Sequence, residues 1–187
     1  MEGSSASFAH LYALLFKRLY HFAFSIIRVP EVAVEVVEDV FLKLWMQRDQ
    51  LAEIKNLPVY LYVAVKNRAL NRLETKAKEL HLSGLDHLVP DMASVENDPL
   101  TEMISSEMLK RVNHAIENLP PRCKMIFKLV REDGLRYKEV AAILNISVNT
   151  IDVQMAAAVK RICEEVGISK NTRSRFFMKK NKKQLLP

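Results

Sequence analysis

The stretch from Leu119 to Ile162, LPPRCKMIFKLVREDGLRYKEVAAILNISVNTIDVQMAAAVKRI, constrains the fold more tightly than any other part of the chain. Its centre, Tyr137 to Leu144, carries Val140, Ala141, Ile143 and Leu144 at helical spacing and runs into Asn145-Ile146. Ser147 follows, a residue whose hydroxyl accepts from the backbone amides of a new helix's first turn. Two helices separated by about three residues, the later one amphipathic, form the helix-turn-helix pattern. The turn between them calls for a left-handed residue, and Asn145 tolerates that conformation better than anything except Gly. The spacing predicts that Ile151, Met155 and Ile162 face the core. Asn149, Asp152, Val153, Ala156 and Lys160 are left outward, toward the major groove of a bound duplex. A helical hairpin that only packs is the plain alternative; the agreement of turn, cap and spacing favours DNA binding.

Composition points the same way. The 187 residues include only four glycines and seven prolines, and several prolines stand where helices would begin, which predicts an all-α protein. The formal charge of +6 is unevenly placed. From Lys170 onward there are seven Lys or Arg and no acid, leaving 21 basic against 22 acidic groups before it. The basic character therefore belongs to a tail, read either as a solvated end or as a polyanion-attracting one. Cys123 and Cys163 sit in apolar helical patterns without a pairing framework, which suits buried free thiols in a reducing compartment. The apolar N-terminal stretch is broken by Lys17-Arg18 and His21, so it is expected to be neither a signal peptide nor a membrane span, and the expected location is cytoplasmic. No metal-ligand spacing, phosphate loop or nucleophile motif is visible, so the expectation is a non-enzyme without cofactor or metal.

Taken in order, Phe8, Leu11, Tyr12, Leu15, Leu19, Phe22, Ala23 and Ile26 mark one helix of about five turns, ending before Pro30. A second helix carries Ala33, Val36, Val37, Val40, Phe41, Leu44 and Trp45, with Trp45 read as a core residue. Residues 49–57 read as a connection, and Pro58 opens a third helix through about Leu80, with a narrow apolar side of Leu61, Ala64, Val65 and Leu73. Its other side holds Lys66, Asn67, Arg68, Asn71, Arg72, Lys76 and Lys78, preceded by Tyr60 and Tyr62. Aromatics beside cations suit unstacked bases, although a solvated helix with core tyrosines explains the same composition. From His81 to Ser106 there are five acids and no Lys or Arg, which reads as a linker giving way to a helix capped by Asp98-Pro99.

Two of these stretches resemble one family. AVEVVEDVFLKLW (33–45) with NLPVYLYVAVKNRALNRL (56–73) resembles domain two of the extracytoplasmic-function sigma factors, and LPPRCKMIFKLVREDGLRYKEVAAILNISVNTID resembles their domain four. The Cys-Lys-x-x-Phe run after Leu-Pro-Pro is similar to members found in Bacteroidetes. The resemblance implies a domain two over 1–82, a linker over 83–98, a domain four over 99–168 and a basic tail over 169–187. It implies binding to core RNA polymerase and promoter DNA, promoter opening, and control by an anti-sigma factor. Glu35, Glu38, Asp39, Leu42 and Arg48 are the implied polymerase contacts. The region from Leu51 to Tyr62, including Tyr60, would capture a flipped base of the minus-ten element, supported by Lys66, Asn67, Arg68, Asn71 and Arg72. Ser147, Asn149, Thr150, Val153 and Lys160 would read the minus-thirty-five element. Many members carry basic residues near positions 152, 154 and 157, where this chain has Asp152, Gln154 and Ala157; the tail is expected to compensate for the phosphate contacts those cations would make. Arg136 stands where a Ser or Thr cap is usual, an expected loss of ~1 kcal/mol. A stand-alone helix-turn-helix regulator is the competing reading; it leaves 33–73 unexplained.

Overall fold

A computed structural model describes residues 2–82 and 107–167. These residues are helical, with no strand among them, and the chain divides into two compact units. The extension of the fourth helix back to Asp98-Pro99, the 83–98 linker and the basic tail lie outside the described residues.

The first unit is built from α1 (Glu2–Ile27), α2 (Pro30–Met46), a 3-10 turn (Arg48–Glu53) and α3 (Leu57–Leu82). Pro30 ends one helix and begins the next, because its ring forces Val29 into an extended conformation (φ −124°, ψ 113°) and its missing N–H is one a helix start does not need. Arg28, at φ 62°, closes α1 in the left-handed region, and its N–H reaches Phe24 O at 3.0 Å. The connection before α3 is more ordered than its composition suggests. Asn56 ends it by accepting Val59 N–H on Oδ1 at 3.2 Å, a side-chain cap for α3.

The three helices meet in one apolar core. Leu15, Leu19, Phe22, Ala23 and Ile27 come from α1, Ala33, Val36, Val37, Val40, Phe41 and Leu44 from α2, and Leu61, Tyr62, Val65 and Ala69 from α3. The α1 stripe ends on Ile27 and not on Ile26, and the α3 stripe is wider than expected, since Tyr62 and Ala69 join it while Ala64 and Leu73 are half-buried. Trp45 is also half-buried: its ring meets Phe8 at 4.8 Å between centroids and lies under the Arg48 guanidinium at 5.2 Å. It is a lid on the core edge and not an interior residue.

The second unit comprises α4 (Glu107–Glu117), α5 (Pro121–Arg131), α6 (Tyr137–Leu144) and α7 (Val148–Val166). Pro121 takes the first position of α5 after an extended Pro120. Gly134, at φ 73°, lets the chain turn back so that Leu135 N–H reaches Leu129 O at 3.1 Å. At the start of α6 the Glu139 carboxylate accepts the Arg136 backbone N–H at 2.7 Å. This is half of a capping box, and it makes up part of what the missing Ser or Thr hydroxyl would supply. Asn145 closes α6 at φ 54°, ψ 52°, and Ser147 Oγ accepts Thr150 N–H at 3.0 Å to start α7. The axes of α6 and α7 differ by 109°, within the range of helix-turn-helix pairs.

Ile151, Met155, Ala158, Ile162, Cys163 and Val166 run along the buried side of α7, where they meet Ala115 and Leu119 of the α4 end and Cys123, Ile126 and Phe127 of α5. Cys123 and Cys163 are both buried and unpaired with each other; the Cys123 thiol points at Gln154 O at 3.4 Å, and burial pushes its pKa up despite the nearby Arg161 charge. Among the described residues no single helix is long and apolar enough to cross a membrane; the bent α6–α7 pair passes by length and composition, and its apolar residues are the core of this unit.

Candidate nucleic-acid and polymerase interfaces

In the first unit α2 and α3 run antiparallel, and the polar residues singled out on each meet across the gap. Arg68 donates from Nε and Nη2 to Asp39 Oδ2, at 3.0 and 2.6 Å. One turn away, Arg72 Nη2 donates to Glu35 Oε2 at 2.5 Å. The spacing of four residues on both helices produces this ladder, since residues four apart share a face. Two expected polymerase contacts thus hold two expected DNA contacts. Both pairs are exposed on both sides, so each contributes little to stability, and their charges remain open to other partners.

Beyond the ladder the gap opens into a groove of about 580 Å³, lined by Leu42 and Met46 of α2, by Tyr60, Val63 and Ala64 of α3, and by Asn67 and Asn71. Leu42 is 54% and Met46 68% exposed, an uncommon degree of exposure for apolar residues on a helix that otherwise packs so well. Nothing in the periodicity of α2 marks Met46; only the position of α3 shows that it borders a groove. Glu38 is exposed one turn before Leu42; burial, and after it the Glu38 charge, raise the pKa of the Tyr12 phenol. Arg48, in the 3-10 turn, covers Trp45 and donates to its carbonyl at 3.3 Å. Of the five candidate polymerase residues, Asp39 and Leu42 border the groove and Glu35 pairs with Arg72, whereas Arg48 covers Trp45.

The two candidate tyrosines part company as well. Tyr60 is 38% exposed at the groove. Tyr62 is 2% exposed and packs edge-on against Phe22 at 5.2 Å, so it is a core residue and is removed from the set that can touch DNA directly. Its spacing from Val65 and Ala69 is compatible with the buried stripe, but only the packing of α1 against α3 shows that the ring is enclosed. Lys66 is half-buried, while Asn67 and Asn71 are exposed.

In the second unit Asn149, Asp152, Val153, Ala156 and Lys160 are all exposed along one side of α7. Ser147 and Thr150 are used differently. Their hydroxyls lie 2.8 Å apart, and Ser147 also takes the Thr150 amide, so both side chains serve the cap. Lys160 lies 4.0 Å from Glu164 one turn on. At the base of the unit Glu117 accepts Lys124 Nζ at 3.1 Å and Lys128 Nζ at 2.7 Å, tying α4 to α5. His114 of α4 and Asn118 just after it converge on Glu165 of α7 at 2.8 and 3.0 Å. None of these groups resembles a reaction centre, and no cluster of three metal-ligating side chains occurs among the described residues.

The family comparison decides between a sigma factor and a stand-alone regulator. Sigma-70 region 2 matches residues 11–79, and Sigma-70, region 4 matches residues 109–162, together about two thirds of the chain and in the order of the two units. The chain belongs to the sigma-70 family. Similar proteins place it in the extracytoplasmic-function group: it is 28% identical over 139 residues to the ECF RNA polymerase sigma-E factor of Escherichia coli (strain K12), covering 71% of this chain and 72% of that protein. It is also 34% identical over 80 residues to the RNA polymerase sigma factor FliA of the same strain, covering 43% of this chain and 33% of that protein. Among solved structures, the sigma factor RpoE in complex with the anti-sigma factor NepR from Bartonella quintana superposes with a TM-score of 0.64 at 20% identity, covering 88% of this chain and 99% of that one, which supports the fold. Sigma factors direct RNA polymerase to promoters, and this chain is one of them; the family is not in general an enzyme family.

Proposed function

We propose that this sigma factor docks on core RNA polymerase with the α2 side of its first unit, opens promoter DNA against α3, and reads the upstream promoter element with α7. The observation that carries this reading is the meeting of α2 carboxylates with α3 arginines beside an open groove, all within the residues matched by region 2. Glu35, Asp39 and Leu42, with Glu38 and Arg48 flanking them, are the polymerase contacts in this reading. Tyr60 offers an exposed ring for a flipped base of the minus-ten element, and Lys66, Asn67, Arg68, Asn71 and Arg72 meet the opened strand. Asn149, Val153 and Lys160 face the minus-thirty-five duplex, with Ser147 and Thr150 shaping the helix start.

The domain assignment follows: 1–82 as domain two, 83–98 as linker, 99–168 as domain four and 169–187 as basic tail. The factor acts in the cytoplasm with the polymerase. By analogy with the Bartonella quintana complex, an anti-sigma factor is its regulator, and the exposed Leu42 and Met46 belong to the surface it would cover.

The test is direct. Full-length protein mixed with core polymerase should co-elute with it and support transcription from a randomised promoter library. Leu42→Glu, a change at an exposed position, should leave folding intact and weaken that association at least tenfold. If no stable complex with core polymerase forms, the assignment fails and a stand-alone DNA-binding regulator takes its place.

A further inference from the structure

We propose that α7 reads its upstream element through thymine methyl groups and through the amino groups of adenine and cytosine, and that it carries no contact that reads guanine. The proposal rests on the reading of α7 as the helix in the major groove and goes further by naming the bases it selects.

Burial decides which side of α7 is available. Ile151, Met155 and Ala158 are packed inside, so Asn149, Asp152, Val153 and Ala156 form the exposed strip of the first three turns. Guanine shows two acceptors, N7 and O6, in the major groove, and the side chains that read it are the multiple donors Arg and Lys. Neither residue occurs between Val148 and Val159. The first cation on α7, Lys160, comes after three turns and has Glu164 beside it. The hydroxyls of Ser147 and Thr150 bond each other, which uses one of their two hydrogens, and the single donor left cannot span both of guanine's acceptors as Arg or Lys does.

What the strip does offer fits other bases. Asn149 carries an NH2 donor group beside a carbonyl acceptor, the complement of adenine N7 and N6. Asp152 is acceptor-only: it takes a hydrogen bond from the cytosine N4 or adenine N6 amine and is repelled by guanine's acceptors. Val153 is 57% exposed, with Ala156 a turn onward, and this apolar surface has thymine's methyl as its counterpart. Arg136 and Lys138, exposed at the start of α6, are placed on the helix that crosses the backbone, where phosphate contacts position the unit without selecting sequence.

The experiment uses the full-length chain with core polymerase on templates randomised upstream of the start site. The selected element should consist of A·T and T·A pairs, with cytosine accepted at the Asp152 position. On the best template, replacing thymine by deoxyuridine should reduce initiation about fourfold per contacted methyl, the worth of one buried carbon. In Val153→Ala that loss should disappear, while Asn149→Ala should relax the adenine preference and keep the deoxyuridine effect. Replacing guanine by 7-deazaguanine should change nothing. A deazaguanine-sensitive element, or a deoxyuridine effect undiminished in Val153→Ala, overturns the proposal. Failure to initiate on any template overturns the sigma-factor reading beneath it, and the proposal with it.

Discussion

Asn145 is the residue on which the second unit turns. At φ 54° it carries a strain that only Gly avoids, and Ile146 N–H can then reach Ala141 O at 3.1 Å. Asn145→Ala should therefore destabilise this unit by about 1 kcal/mol, whereas Asn145→Gly should stay within a few tenths of wild type; denaturant midpoints of the two variants give the comparison. The need for Asn here was visible in the sequence, because the turn is local. Tyr62 shows the opposite situation. A tyrosine beside cations suits base stacking on composition alone, yet this ring is enclosed by α1. Tyr62→Ala should cost about 3 kcal/mol or more in stability, as large-to-small core changes do. Tyr60→Ala should leave stability within about 0.5 kcal/mol and slow open-promoter formation instead. Thermal melts and permanganate footprinting of the paired variants separate the two roles.

At the scale of elements, the α2–α3 ladder and the α4–α5 tie differ in solvent exposure, and so in what they contribute. Asp39–Arg68 and Glu35–Arg72 are open to water, and a double-mutant cycle on Asp39 and Arg68 should return a coupling of about 0.2–1 kcal/mol that vanishes in high salt. These pairs were not legible in advance. Each charge could be placed on its helix, but which charges meet depends on how the two helices cross.

Glu117 is less open. Burial acts to raise its pKa, but the Lys128 and Lys124 ammoniums outweigh that and hold it below the ordinary 4.5. A carboxyl depressed on folding stabilises above its unfolded value and loses that contribution as pH falls through the folded one. Glu165 acts in the same direction through its bonds from His114 and Asn118, while Glu132, raised by burial, opposes them. The unit should accordingly lose stability on acidification below about pH 4.5, and Glu117→Gln should be less stable at neutral pH with a shallower acid limb. Thermal midpoints of both proteins across the acid range check the sign.

For the whole molecule, charge is divided between a near-neutral body and a strongly basic end. Residues 170–187 carry seven cations and no acid, while the exposed strip of α7 carries an aspartate and few cations. Deleting 170–187 should leave the melting of both units unchanged and weaken promoter binding by the holoenzyme. The salt slope should fall by about 0.9 for every DNA phosphate that the tail neutralises in the full-length protein. Affinities measured across a salt series give that slope. An unchanged slope would mean that the tail does not touch DNA.

The sequence alone determined the all-helical fold, most helix boundaries, the helix-turn-helix with its turn and cap, and the family resemblance. All of these depend on neighbours within a few residues, where proline, glycine, asparagine and the helical period act directly. Tertiary structure alone decided that Tyr62 is core, that Trp45 is a lid, and that Arg68 and Arg72 already have anionic partners. Those facts depend on which faces of separate helices are pressed together. A single helix's periodicity shows that it has a buried side; what stands opposite that side, and what lines its edges, is settled only when the helices cross.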